Sequence, residues 1–288
     1  MAGPHPADLG PPGTGEPVLR RTGRPETLLE RVKSLRALDL EVASRASIAV
    51  VVPLVVLVLV GRIDWAAYAS FGAMTSLYGR SEPYRLRART ISVAAACLLG
   101  SVAAGLALSA TEAALPALIL GLMLVITVGI LVASTFGLFP GTPIFFVFAY
   151  LVCAQVPAPA NEVLPRLLVA VASAALAWLL TMSGWAFRRL AGHRSEDLFK
   201  RLPRTPLLLP AAYRDAQVWF TILQNLVGVL LAGGLALASG IGHPYWAVVS
   251  VVAVLPPPRA AHSISRAVHR IVGTTLGVAV TGLVLLPG

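Results

Sequence analysis

The sequence is poor in charge. Only 12% of its 288 residues are Asp, Glu, Lys or Arg, about half of what a water-soluble domain carries. A folded surface exposed wholly to water is thereby excluded. Cysteine is scarce too: Cys97 and Cys153 both lie inside apolar runs, form no CxxC and no metal spacing, and read as buried free thiols. Nothing calls for a metal or another cofactor. No G-x-x-x-x-G-K-[ST] sequence occurs, so ATP hydrolysis by this chain is not expected. HExxH and GxSxG are missing as well, and His262 and His269 lie seven apart without acidic partners. A cleavable signal peptide is not visible. Met1 to Pro17 is rich in Pro and Gly without an apolar core, and reads as a disordered cytoplasmic tail.

What the chain has is hydrophobic length. Apolar residues make up 57% of it and the mean hydropathy is +0.79. A helix needs about 20 residues to cross the roughly 30 Å hydrocarbon core of a bilayer. Runs of that kind predict an all-α, polytopic transmembrane bundle of about nine spans, near 44–61, 64–79, 89–110, 114–134, 138–155, 164–187, 217–239, 243–256 and 267–286. Before them, Thr27 to Glu41 spaces its Leu and Val helically with charges opposite, as an amphipathic helix at the membrane surface does. The domain plan is a cytoplasmic tail and amphipathic helix (1–43), a first unit of six spans (44–187), a cytoplasmic connection (188–216) and a partial second unit of three spans (217–288).

The positive charges follow the same layout. With the N-terminus in the cytoplasm and the spans alternating, 21 of the 23 basic residues fall on inner segments, as the inside-positive bias of a multi-pass cell-membrane protein demands. The exceptions are Arg62 and Arg166. A formal net charge of +10 does not point to nucleic acid, because a nucleic-acid binder spreads its bases over one water-exposed face. These bases cluster between apolar runs, beside an anionic leaflet.

The chain also repeats itself. Gly61 to Ala66 (GRIDWA) matches Gly242 to Ala247 (GHPYWA), and RTISVAAACLLGSVAAG from Arg89 matches RAVHRIVGTTLGVAVTG from Arg266 at an offset of 177. Both paired spans lead away from an inner basic loop, so the repeat is parallel. Small residues four apart, Ala96, Gly100 and Ala104 in one span and Gly273, Gly277 and Thr281 in the other, predict flat faces on central packing helices. The second unit has three spans to the first unit's six. Either it is truncated or a second copy completes the bundle as a homodimer.

Candidate functional residues sit at three levels. Asp64, Trp65 and Tyr68 mark the outer end of span two, and His243, Tyr245 and Trp246 the outer end of span eight. They read as interfacial anchors or as an outer vestibule where rings stack on a ring-bearing substrate. Gln224 and Asn225 form the most polar pair within an apolar run, read as an interhelical hydrogen bond or a substrate contact. Arg89 and Arg266, at the inner ends of the repeat spans, suit bidentate capture of an organic carboxylate. Pro140, Gly141 and Pro143, in STFGLFPGTPIFF, predict a bent or unwound start to span five.

The stretches HPYWAVVSVVAVLPPPRAAHSISRAVHRIVGTTLG (from His243) and WAAYASFGAMTSLYGRSEPYRLRARTISVAAACLLG (from Trp65) together resemble the fusaric acid resistance family, also known as the aromatic acid exporter or integral membrane bound transporter group. The resemblance implies a bacterial inner-membrane efflux protein for aromatic carboxylic acids, built in that family from two six-span halves and often a soluble domain. The leading reading is therefore a transporter, or transporter component, for small organic anions, with the lipid bilayer as its surroundings. A non-transporting scaffold or inactive truncated paralogue, and a membrane-embedded enzyme, are the alternatives.

Overall fold

The computed structural model describes residues 28–79, 82–191, 208–240, 242–255, 257, 268–269 and 271–277. The chain divides into a unit ending at Glu41 and a larger unit from Val42 onward. All regular structure among the described residues is helical. In chain order the α-helices are α1 (Leu28–Leu59), α2 (Ala66–Ala73), α3 (Tyr84–Ala110), α4 (Leu115–Phe136), α5 (Ile144–Gln155), α6 (Val163–Ala191), α7 (Ala216–Ala238) and α8 (Tyr245–Val254). Residues 268–269 and 271–277 are helical as well. The proposed N-terminal tail, most of the connection between α6 and α7, and the end of the ninth run lie outside the described residues.

Among the described residues, four segments are long and apolar enough to cross a membrane: Arg85–Ala110, Leu115–Phe136, Ala160–Ser183 and Ala216–Ala238. Ala43–Leu59, Ile144–Gln155 and Tyr245–Val254 are apolar but shorter. Their outward faces are aliphatic, as with Leu120 and Leu124 on α4 or Leu231 and Leu235 on α7. Contiguous apolar surface on this scale suits lipid rather than water.

Local chemistry sets the boundaries. Pro116 sits in the first turn of α4, where a missing N–H costs nothing. Gly137 ends that helix in the left-handed region at φ 62°, donating its N–H to Ala133 O. Asp215 caps α7 by accepting from Gln217 N at 2.9 Å. The start of α5 is delayed to Ile144, and residues 138–143 are non-helical, because Pro140 and Pro143 cannot donate to a helical ladder. A three-residue 3₁₀ turn, Ile63–Trp65, leads into α2, and a four-residue one, Met74–Leu77, follows it.

Among the described residues the core is formed by a small apolar cluster of Ala49, Ala73 and Ala177 and by two large ones, both including α5. In one, Tyr68 and Phe71 of α2 meet Leu98, Val102 and Leu106 of α3, Phe146 and Ala149 of α5, and Ala170 of α6. In the other, Val147 and Tyr150 of α5 meet Leu122 and Ile126 of α4, Ile222 of α7 and Val252 of α8. Hydrophobic burial adds little between helices already in lipid, so close backbone approach has to hold them. Gly105 provides it: a Cβ there would lie 2.6 Å from Tyr150 O of α5. Gly72 lies so tightly against Ala170 that a Cβ would collide with its carbonyl.

The small-residue faces expected at the centre of the bundle are elsewhere. On α3 the buried stripe is Ala94, Leu98, Val102 and Leu106. Ala96 and Gly100 lie two residues off that stripe and are exposed, about 200° round the helix at 100° per residue. Gly100, Gly273 and Gly277 have nothing within 4 Å of where a Cβ would stand. Helix α3 does pack at the centre, against α5 and α6, but through its buried stripe and Gly105 rather than through Ala96 and Gly100.

Candidate functional site

Asp64, Trp65 and Tyr68 are drawn into one polar network by three residues that hydropathy gave no reason to join. Arg166, on the first turn of α6, is 6% exposed. Its Nε and Nη2 donate to Glu162 Oε2 at 3.0 and 2.6 Å. Its Nη1 donates to Tyr68 Oη at 3.0 Å and to Pro157 O at 2.8 Å. Arg62 reaches the same carboxylate, donating from Nη2 to Glu162 Oε1 at 2.6 Å. Its Nε lies 3.5 Å from Asp64 Oδ1, and its guanidinium stacks 3.8 Å above the Trp65 ring. Two cations and two anions balance here. Tyr68 is fully buried, so its ring is closed to a solute, while Trp65 is partly buried with one face covered by Arg62.

The opposite end of the bundle holds the starts of α3, α5 and α7 and is rich in arginine. Arg89, one of the proposed anion ligands, is half-buried on the second turn of α3. Its Nε and Nη2 are sealed from solvent and meet no hydrogen-bond partner among the described residues. Around the same helix start, the Thr75, Tyr78 and Thr90 hydroxyls and both Glu82 oxygens are buried without partners. Buried polar atoms are ordinarily satisfied by protein or by water and ions, so this end has unused hydrogen-bonding capacity on more groups than the Arg62–Glu162–Arg166 network, where Arg62 Nε and Trp65 Nε1 are the buried atoms left without a hydrogen bond.

The remaining candidates are dispersed. Gln224 is exposed on α7, while Asn225 is 2% exposed and donates from Nδ2 to Thr221 O at 2.9 Å. That bond is one turn back along its own helix rather than between helices. His243 is exposed, with its ring 5.5 Å from Tyr245. Trp246 is half-exposed and lies 5.4 Å from Phe148 of α5, which also meets Phe71 of α2 at 5.3 Å. The helices that follow the two repeated tryptophans therefore converge on one ring of α5. Arg266 lies outside the described residues.

Arg62, Glu162, Arg166 and Glu82 were not singled out from sequence. The first and third did stand out, as the two bases off the inner segments. Glu162 and Arg166 have the i,i+4 spacing that pairs side chains on a helix.

Residues 229–288 match the family model described as fusaric acid resistance protein-like. This range takes in the later of the two resembling stretches, from α7 through α8, and leaves the earlier one outside the match. No curated protein and no solved structure matches the chain. The apolar helices and the family match together support a multi-pass membrane protein of transporter type.

Proposed function

We propose that this chain, fusaric acid resistance protein-like over residues 229–288, exports small organic anions of the aromatic carboxylic class across the cell membrane. The observation that carries this reading is Arg89, whose Nε and Nη2 are shielded from water and lack an acceptor among the described residues. A guanidinium edge in that state suits a carboxylate, which accepts two parallel hydrogen bonds. Arg266 occupies the equivalent register of the repeat and is assigned the same task. The arginine-rich end faces the cytoplasm in this proposal, so solutes meet these residues before entering the bundle.

A nine-span layout with a parallel repeat belongs to the same reading. Its support is that an 8-residue helix follows Trp65 and that a 10-residue helix starts at Tyr245, beside Trp246. Each precedes a longer apolar run. A homodimer would give the partial second unit the helices its counterpart has.

Efflux of a panel of aromatic acids from loaded cells, with and without the chain, tests the function. Faster loss of at least one acid is expected. Equal loss of every acid would leave the scaffold reading in its place. Arg89→Gln and Arg266→Gln should each slow export while membrane insertion stays intact. Unchanged export by both removes these arginines from the mechanism. Cysteine labelling of 80–89 from the periplasmic side would overturn the orientation.

A further inference from the structure

A cavity of about 1150 Å³ lies between the ends of α4 and α8 and the starts of α5 and α7, and Arg89 is not part of its wall. The sequence builds it from interrupted helices. Once Gly137 has ended α4, the non-helical segment through Thr142 forms one wall. The chain entering α7 forms another, held in place by Leu209 N donating to Thr135 O at 2.9 Å. Gly141 closes against Pro257, which a Cβ would approach to 3.1 Å.

Most of the wall is apolar, including Leu138, Phe139, Pro140 and Val218, with hydroxyls from Ser134 and Thr142. Its charged or titratable groups are Arg214, Asp215 and His269. Asp215 is engaged as the cap of α7. Arg214 sits on the 3₁₀ turn Ala212–Arg214, which Trp219 braces by donating from Nε1 to Tyr213 O at 2.6 Å. The Arg214 guanidinium lies 5.3 Å from the Tyr213 ring, and no carboxylate among the described residues pairs with it. Arg214 is exposed, and an accessible cation beside an apolar chamber is chemistry for an amphiphilic anion. Pockets that enclose drug-sized ligands run to about 300–1,000 Å³, so this one has room for more than a single ring.

We propose that the cavity binds organic anions with two or more fused rings, Arg214 holding the carboxylate and the Leu138–Pro140 wall the ring body. The proposal rests on the exporter reading for its substrate class, but binding can be measured without transport. The full chain is purified in detergent and titrated with 2-naphthoate, neutral 2-naphthamide and oleate, the last standing for a lipid-derived carboxylate.

Saturable naphthoate binding is expected, at least about tenfold weaker in Arg214→Gln and weaker still for naphthamide. Gly273 lines the cavity with nothing within 4 Å of a prospective Cβ. Gly273→Leu should therefore fill the space and weaken binding without unfolding the protein, whereas Gly100→Ala should bind as the wild type does. Thermal unfolding of each variant identifies one that has failed to fold. Absence of naphthoate binding, equal binding of naphthamide, unchanged binding by both Arg214→Gln and Gly273→Leu, or stronger binding of oleate than naphthoate would each overturn the proposal. Binding as predicted without export from cells would instead defeat the exporter reading and leave the cavity assignment standing.

Discussion

Arginine plays opposite parts at the two ends of this bundle. At one end Arg62 and Arg166 converge on Glu162, and Arg166 uses further donors on Tyr68 and Pro157. At the other, two nitrogens of the half-buried Arg89 are sealed from solvent, and neither it nor the exposed Arg214 pairs with a carboxylate among the described residues. A guanidinium engaged by a carboxylate joins elements together, whereas one without such a partner is ready to accept an anion. The lesson is that a cation's task depends on its acceptors more than on its depth or its residue type.

That contrast can be broken experimentally. The largest effect should come from Arg166→Ala, which strips donors from Glu162, Tyr68 and Pro157 together. We expect about 3 kcal/mol lost in reversible unfolding in detergent, as for other broken buried pairs. Next is Gly72→Ala, where the new methyl meets Ala170 O and should cost about 1–3 kcal/mol by overpacking. Arg89→Gln should leave the unfolding midpoint in place yet lower the export rate about tenfold, equivalent to about 1.4 kcal/mol. A drop in stability with normal export would make Arg89 structural, like Arg166. Smallest is Gly100→Ala, on an exposed face with open space, where the change should stay within about 0.5 kcal/mol. A larger loss there would reveal a partner surface covering the stripe.

The helices were largely legible because apolar length is a local property. The described helices overlap the expected runs, and the larger departures have local causes. Helix α3 begins at Tyr84, five residues before the expected start, because Pro83 makes a good N-terminal flank even though arginines follow. In α5 the Pro-Gly-Pro sequence delays the helix by six residues relative to the apolar run. Helix α1 runs unbroken from Leu28, so the amphipathic segment and the first apolar run are continuous.

The networks were less legible. Glu162 and Arg62 are 100 residues apart in sequence, and Arg166 and Tyr68 are 98 apart, separations that no periodicity links. Spacing marked Ala96 and Gly100 as a small face on α3, but that face is exposed, and α5 packs on the Leu98–Val102 side and against Gly105 instead. Arg214 looked like one more inside-positive residue until the fold placed it on a cavity wall.

The brevity of α5 has an electrical consequence. If α5 crosses the membrane as in the proposed layout, its twelve residues rise only about 18 Å, roughly 12 Å less than the hydrocarbon thickness, and the non-helical segment 138–143 beside the cavity makes up the shortfall. Irregular backbone at that depth needs protein or water around it. If water fills the chamber, the membrane voltage falls mainly across the thinner insulating layer beyond it. A negative solute seated at Arg214 would then stand at the edge of that steep drop, already close to the part of its journey that the resting potential drives.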